Sequence, residues 1–121
     1  MTEKFVYDTY ALMEILNKNP NYQKYISQDI IINDFIFAEF CYQLFKDKEK
    51  NPEELSSEIE SAIVKIMPKI IKMAMRFRYE NKQKNMSMVD CISYFQAKEL
   101  DIKFLTGDKE FEGMENVEFV K

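Results

Sequence analysis

Residues 87–108 read SMVDCISYFQAKELDIKFLTGD, and this stretch sets the class of the fold. Ser87 and Asp90 have the S-x-x-D spacing of a capping box, which starts a helix running to about Leu100. Residues 102–105 (IKFL) then form a short apolar strand, and Thr106-Gly107-Asp108 a turn. Residues 116–120 (NVEFV) form one more strand near the C-terminal end. Short strands joined through helices are the unit of a parallel sheet, because parallel neighbours need a long crossover.

The same alternation extends toward the N-terminus. Residues 4–7 (KFVY) form a first strand that stops at Asp8. Residues 9–17 form a helix with Tyr10, Leu12, Met13 and Leu16 at helical spacing. Asn17 to Asn21, with Pro20, is a break, and a short helix follows through Tyr22 and Tyr25. Residues 29–32 (DIII) form a buried strand, after which Asn33 or Asp34 caps a helix through Lys46. DKEKNPEE is a charged loop, and Pro52 opens a helix carrying Leu55, Ile59, Ile63 and Ile66. Pro68 interrupts that helix, and a further one runs through Tyr79 to the polar loop ENKQKN at 80–85. The expectation is one α/β domain over residues 1–121, a three-layer α/β/α arrangement with a mostly parallel central sheet.

Composition narrows the chemistry. The chain has no His, so no Ser-His-Asp triad, Cys-His dyad or His-based ribonuclease mechanism can be built from it alone. With only two glycines, Gly107 and Gly113, it has no Gly-rich loop to cradle phosphate. Cys41 and Cys91 lie in apolar segments and read as small buried residues. Asp and Glu number 21, so hydrolysis on this chain would use carboxylates, with a hard metal ion. No apolar run approaches the roughly 18 residues of a membrane span. The N-terminal MTEKFVYD lacks a signal-peptide layout, so a cytoplasmic protein is expected.

Four acids stand where sites form in parallel sheets, near the carboxyl ends of strands. Asp8 and Asp108 follow strands directly, Glu39 follows one by two helical turns, and Asp90 lies in the first turn of a helix. Each has a plainer reading: Asp8 as a helix cap, Glu39 as a solvated helix residue, Asp90 as half of a capping box, Asp108 as a turn residue. Spacing alone leaves both readings open for each.

FVYDTYALMEIL at the N-terminus, FAEF around Glu39, MSMVDCISYFQAKEL and IKFLTGDKEFEGMENVEFV together resemble a PIN domain, as in the VapC-type toxin ribonucleases of prokaryotes. The resemblance covers nearly the whole chain. It implies that Asp8, Glu39, Asp90 and Asp108 are catalytic carboxylates holding Mg²⁺ or Mn²⁺, and that Thr106 helps order water or the metal shell. It also implies hydrolysis of RNA to a 5′-phosphate and a 3′-hydroxyl, a homodimer, and an antitoxin partner. Gly107 stands where many members carry Arg or another residue, which implies a different loop shape. Ser93 and Tyr94 stand where members often add another acid.

The net charge of −4 and pI near 5.0 argue against a general nucleic-acid binder. Yet seven of the 17 basic residues fall between Lys65 and Lys84, opposed only by Glu80. Arg76, Arg78 and Lys82, with Phe77 and Tyr79 among them, read as an RNA-gripping stripe. Lys65 and Lys69 read as the solvated side of a helix. Met67, Ile70, Ile71, Met73, Met75 and Phe77 read as core or dimer interface, and Tyr10, Tyr22 and Tyr25 as aromatics that could face partners. Two alternatives remain beside the toxin: an RNA-processing or quality-control nuclease without antitoxin, and a catalytically silent RNA- or protein-binding module. A phosphoacceptor receiver domain is disfavoured, because Asp8 stands alone after the first strand and no middle strand ends in Asp.

Overall fold

The computed structural model describes residues 2–121. Its strands are β1 (Lys4–Tyr7), β2 (Asp29–Ile31), β3 (Lys103–Thr106) and β4 (Val117–Phe119), in the order β2-β1-β3-β4. All three pairings are parallel, with Phe5 opposite both Ile30 and Lys103, and Phe104 opposite Val117. The helices are α1 (Thr9–Leu16), α2 (Asp34–Lys46), α3 (Pro52–Ser57), α4 (Pro68–Glu80) and α5 (Met88–Glu99). The expected α/β class and parallel sheet are therefore observed.

Burial along the central strands shows why the sheet needs cover on both faces. Phe5, Val6 and Tyr7 on β1, and Phe104, Leu105 and Thr106 on β3, are all buried. Successive side chains on a strand point to opposite faces, so an unbroken buried run means both faces are packed. α1 and α5 each contact β1 and β3. The right-handed crossover rule puts them on opposite faces, since β1→α1→β2 and the return to β3 run in opposite directions across the sheet. The chain reverses direction between β1 and β3, and a crevice opens beyond their carboxyl ends.

The segment after Pro52 departs from the expected continuous helix. α3 stops at Ser57, where the Ser56 and Ser57 hydroxyls both donate to the Glu53 carbonyl, at 3.1 and 2.8 Å. Such local bonds compete with helix propagation. A 3-10 turn at Glu60–Ala62 follows, and then Ile63 pairs in parallel with Ile32. The Ile32 N–H donates to the Ala62 carbonyl at 3.0 Å and the Val64 N–H to the Ile32 carbonyl at 2.9 Å. Leu55, Ile59, Ile63 and Ile66 still pack on the core, so their spacing reported burial correctly but not helix.

The Pro20–Tyr25 segment is a 3-10 helix that buries the aromatics expected to face partners. Tyr22 and Tyr25 are 0% and 2% exposed. Tyr22 donates to the Val120 carbonyl at 2.6 Å and Tyr25 to Glu118 at 2.5 Å, tying the segment to the C-terminal strand. Their role is internal. Ile70 is buried and Met75 and Phe77 pack on the core, whereas Met67 and Met73 stay exposed. Cys91 is buried and Cys41 half-buried, both as free thiols. Among the described residues no helix is long and apolar enough to cross a membrane.

Candidate active site

The four acids meet at the crevice between β1 and β3. Asp8, Glu39, Asp90 and Asp108 line one cleft of about 560 Å³, with Thr9, Tyr10, Ser87, Gly107, Lys109 and Lys121. Their plainer readings prove compatible with this convergence. Asp8 does cap α1: one carboxylate oxygen accepts from the Ala11 N–H at 2.7 Å. The other accepts from the Thr106 hydroxyl at 2.5 Å. Ser87 caps α5 by accepting from the Asp90 N–H at 3.0 Å. Asp108 accepts from the Glu110 N–H at 3.0 Å and so turns the chain into the 3-10 turn Lys109–Phe111. Glu39 is half-buried, held by the Thr9 hydroxyl at 2.7 Å.

Electrostatics at the cleft are unfavourable to the bare carboxylates. Asp8 is 2% exposed. Burial pushes its pKa well above the usual range, and the charges of Asp90 and Asp108 add to this against the bonds from Thr106 and Ala11. Asp90 is raised to about 7, first by burial and then by Asp108 and Glu39. Among the described residues none of the four acids forms an ion pair. Two carboxylates at ~4 Å repel by about 4 kcal/mol at an effective dielectric near 20, so protons or a cation must hold the cluster together.

The donor set suits a hard divalent ion: all side-chain oxygens, with a buried carboxylate at the base. Among the described residues no three His, Cys, Asp or Glu side chains stand, as they lie, in a group that could hold a metal ion.

Sequence reasoning missed the support beneath the site. Asn33 is fully buried and caps α2, accepting from the Ile36 N–H at 2.9 Å. Its amide donates to Ser93 at 3.1 Å and Gln96 at 2.8 Å, both on α5, and Gln96 donates to the Ile32 carbonyl at 3.2 Å. This network joins the helix carrying Glu39 to the helix carrying Asp90. Ser93, which also donates to the Val89 carbonyl at 2.7 Å, therefore faces the interior and not the cleft. Only the Asn33 cap was visible in the sequence. Its partners lie some 60 residues away.

The basic stripe splits. Arg76 points away to an exposed pair with Glu80 at 3.3 Å. Arg78 and Lys82 instead line a second groove, of about 380 Å³, together with Met75, Tyr79, Lys84, Asn85 and Met86. Of the expected stripe, Arg78, Tyr79 and Lys82 therefore share this groove with Lys84, and Arg76 lies outside it. Phase along α4 explains the split, since residues two apart on a helix lie on nearly opposite sides. Arg78 also reaches the start of α5: burial pushes the Cys91 thiol up to about 11, with Asp90 adding and Arg78 opposing.

Comparison with known proteins follows the geometry. A family model described as PIN domain matches residues 5–117. No curated protein sequence matches the chain. Among solved structures, the VapC20 toxin of Mycobacterium tuberculosis, described as cleaving the sarcin-ricin loop, superposes with a TM-score of 0.80 at 13% identity, covering 98% of this chain and 100% of that one. A toxin-antitoxin complex from Klebsiella pneumoniae gives 0.75 at 17% identity over 94% and 95%. VapBC2 from Rickettsia felis, bound to a promoter DNA fragment, gives 0.70 at 20% identity over 98% and 99%. At these identities the likeness is one of fold.

Proposed function

The chain belongs to the PIN-domain family, and on that premise we propose that it is a divalent-metal-dependent endoribonuclease, the toxin of a VapBC-type toxin-antitoxin pair. The observation that carries the nuclease reading is the convergence of Asp8, Glu39, Asp90 and Asp108 on one cleft, where among the described residues none of the four forms an ion pair although Lys109 and Lys121 also line it. A silent module would have no use for such repulsion. The antitoxin proposal is supported by neighbours that are themselves toxin-antitoxin complexes. A homodimer is proposed on the exposed Met67 and Met73 of α4, and cytoplasmic action follows from an RNA substrate.

Mg²⁺ or Mn²⁺, when bound, would polarise the scissile phosphate and lower the pKa of a water. Asp8 would form the fixed floor of the ion's site, because both of its oxygens are already oriented by Thr106 and Ala11. Asp90, raised to about 7 chiefly by burial, carries a proton over part of the neutral range in the free protein and would release it when the ion binds. Glu39, held from below by Thr9, would accept the proton of the attacking water. Thr106, fully buried, donates to Asp8 and so positions it. The products would be a 5′-phosphate and a 3′-hydroxyl.

The test is incubation of structured and single-stranded RNAs with the protein in Mg²⁺, Mn²⁺ or EDTA. Cleavage that needs the ion and drops at least about a hundredfold in Asp8→Asn is expected, in line with losing a principal electrostatic group. Cleavage by Asp8→Asn at the wild-type rate would overturn the proposal.

A further inference from the structure

The groove lined by Arg78, Tyr79, Lys82 and Lys84 has no part in the carboxylate chemistry, and unlike the acid cleft it is lined by cations with no carboxylate among them. We propose that it is a phosphate-binding subsite, holding a backbone phosphate of the RNA strand outside the acid cleft. This rests on the ribonuclease reading and adds to it the place where the strand is gripped.

Three observations carry it. First, the cations are available. Among the described residues no carboxylate pairs with Arg78, Lys82 or Lys84, although Lys69, Arg76, Lys98 and Lys103 all have acidic partners. The one hydrogen bond of the Arg78 guanidinium, from Nε to the Met86 carbonyl at 3.0 Å, fixes its plane and leaves the other nitrogens for a ligand. Second, the groove adjoins the cleft. Met86 lines one and Ser87 the other, and Lys84 donates to the Glu110 carbonyl at 3.1 Å, just past Asp108. A strand leaving the acid cleft over the start of α5 enters the groove. Third, the wall includes Tyr79, 69% exposed, with the Lys82 ammonium 4.8 Å from its ring centre. That ring offers a base a stacking surface beside the phosphate.

The physical need is plain. A chain of net charge −4 with four acids at its reaction centre repels a polyanion. Affinity for RNA must come from cations placed beside that centre, and this groove is where three converge. An acidic segment of a protein partner is the competing occupant. A groove that adjoins the acid cleft at Met86 and Ser87 and carries an aromatic wall favours the nucleotide chain.

The experiment measures binding of a short, mixed-sequence, single-stranded RNA to the full chain in EDTA by fluorescence anisotropy across a salt series. Wild type is compared with Lys82→Ala, Lys84→Ala and, as a control on the exposed side of α4, Lys72→Ala. Each groove lysine removed should weaken binding about fivefold near 0.1 M salt and lower the salt slope by about 0.7, whereas Lys72→Ala should change neither. Among the described residues the Lys82 side chain makes no hydrogen bond or ion pair and lies over the exposed Tyr79 ring, so its variant separates ligand loss from misfolding. Unchanged affinity and slope in Lys82→Ala would overturn the proposal. So would tight, Lys82-dependent binding of an oligoglutamate peptide that displaces RNA of equal charge. The binding assay needs no divalent ion, so a chain that binds in this way but cleaves no RNA once Mg²⁺ or Mn²⁺ is supplied would refute the ribonuclease reading and keep the subsite.

Discussion

Thr106 and Asp8 are joined side chain to side chain across the two central strands, the hydroxyl donating to the carboxylate at 2.5 Å. The same hydroxyl accepts from the Asp108 N–H at 3.1 Å. One oxygen at the end of β3 therefore fixes both the acid that ends β1 and the backbone of the acid that follows β3. Thr106→Val keeps the shape and removes this oxygen. It should lower stability by about 1–3 kcal/mol, the cost of leaving a buried polar group unmet. Thr106→Ser keeps the hydroxyl and should lose less than about 1 kcal/mol, for one methyl. Urea unfolding of both variants in EDTA checks the difference.

The raised pKa of Asp90 makes a pH prediction with an unusual sign. An unfolded Asp titrates near 4, whereas folded Asp90 titrates at about 7, so between these values the native state binds more protons. Stability of the metal-free protein should then fall as pH rises from 5 to 8, and Asp8 acts in the same direction. Thermal melts in EDTA at the two pH values measure it. Asp90→Asn should flatten the dependence, and a divalent ion should raise the melting temperature more at pH 8 than at pH 5.

Gly107 is required by contact. A Cβ there would lie 2.2 Å from the Tyr10 ring and 2.6 Å from the Val120 carbonyl oxygen. The ring can swing away but the backbone carbonyl cannot. Gly107→Ala should destabilise by about 1–3 kcal/mol. Adding Tyr10→Ala should recover only part of that loss, as read from denaturation midpoints of the single and double variants.

Asn33 supports the site from beneath. Asn33→Ala removes the cap of α2, worth about 1 kcal/mol, and strands the buried Gln96 carbonyl oxygen, worth about 1–3 kcal/mol more. A total loss near 2–4 kcal/mol is expected, with nuclease activity falling further than the folded fraction, because α2 and α5 carry Glu39 and Asp90.

The parts of this architecture that were legible in the sequence are those written in local patterns. KFVY ending at Asp8, the Ser87 cap and the IKFL strand each carry their own signal; the first two stand as read, and the strand runs one residue later, Lys103–Thr106. Ile59 and Ile63 misled because helical spacing over so few residues also fits a turn followed by a sheet contact. The convergence of the four acids depends on strand order, which no spacing encodes. The family resemblance supplied that grouping. The Asn33 network and the joining of Lys84 to Arg78 were hidden for the same reason: their geometry is set by a helix-helix contact and a loop path, not by sequence neighbours.

The central claim is that these carboxylates hold a divalent ion. Titration calorimetry of Mn²⁺ into the metal-free protein at pH 7, in two buffers of different ionisation enthalpy, tests it most directly. The account predicts saturable binding with net proton release, because Asp90 is near half-protonated at that pH. It also predicts that Asp8→Asn and Asp90→Asn each bind at least about tenfold more weakly. No binding at millimolar Mn²⁺, or equal binding by wild type and both variants, would contradict it.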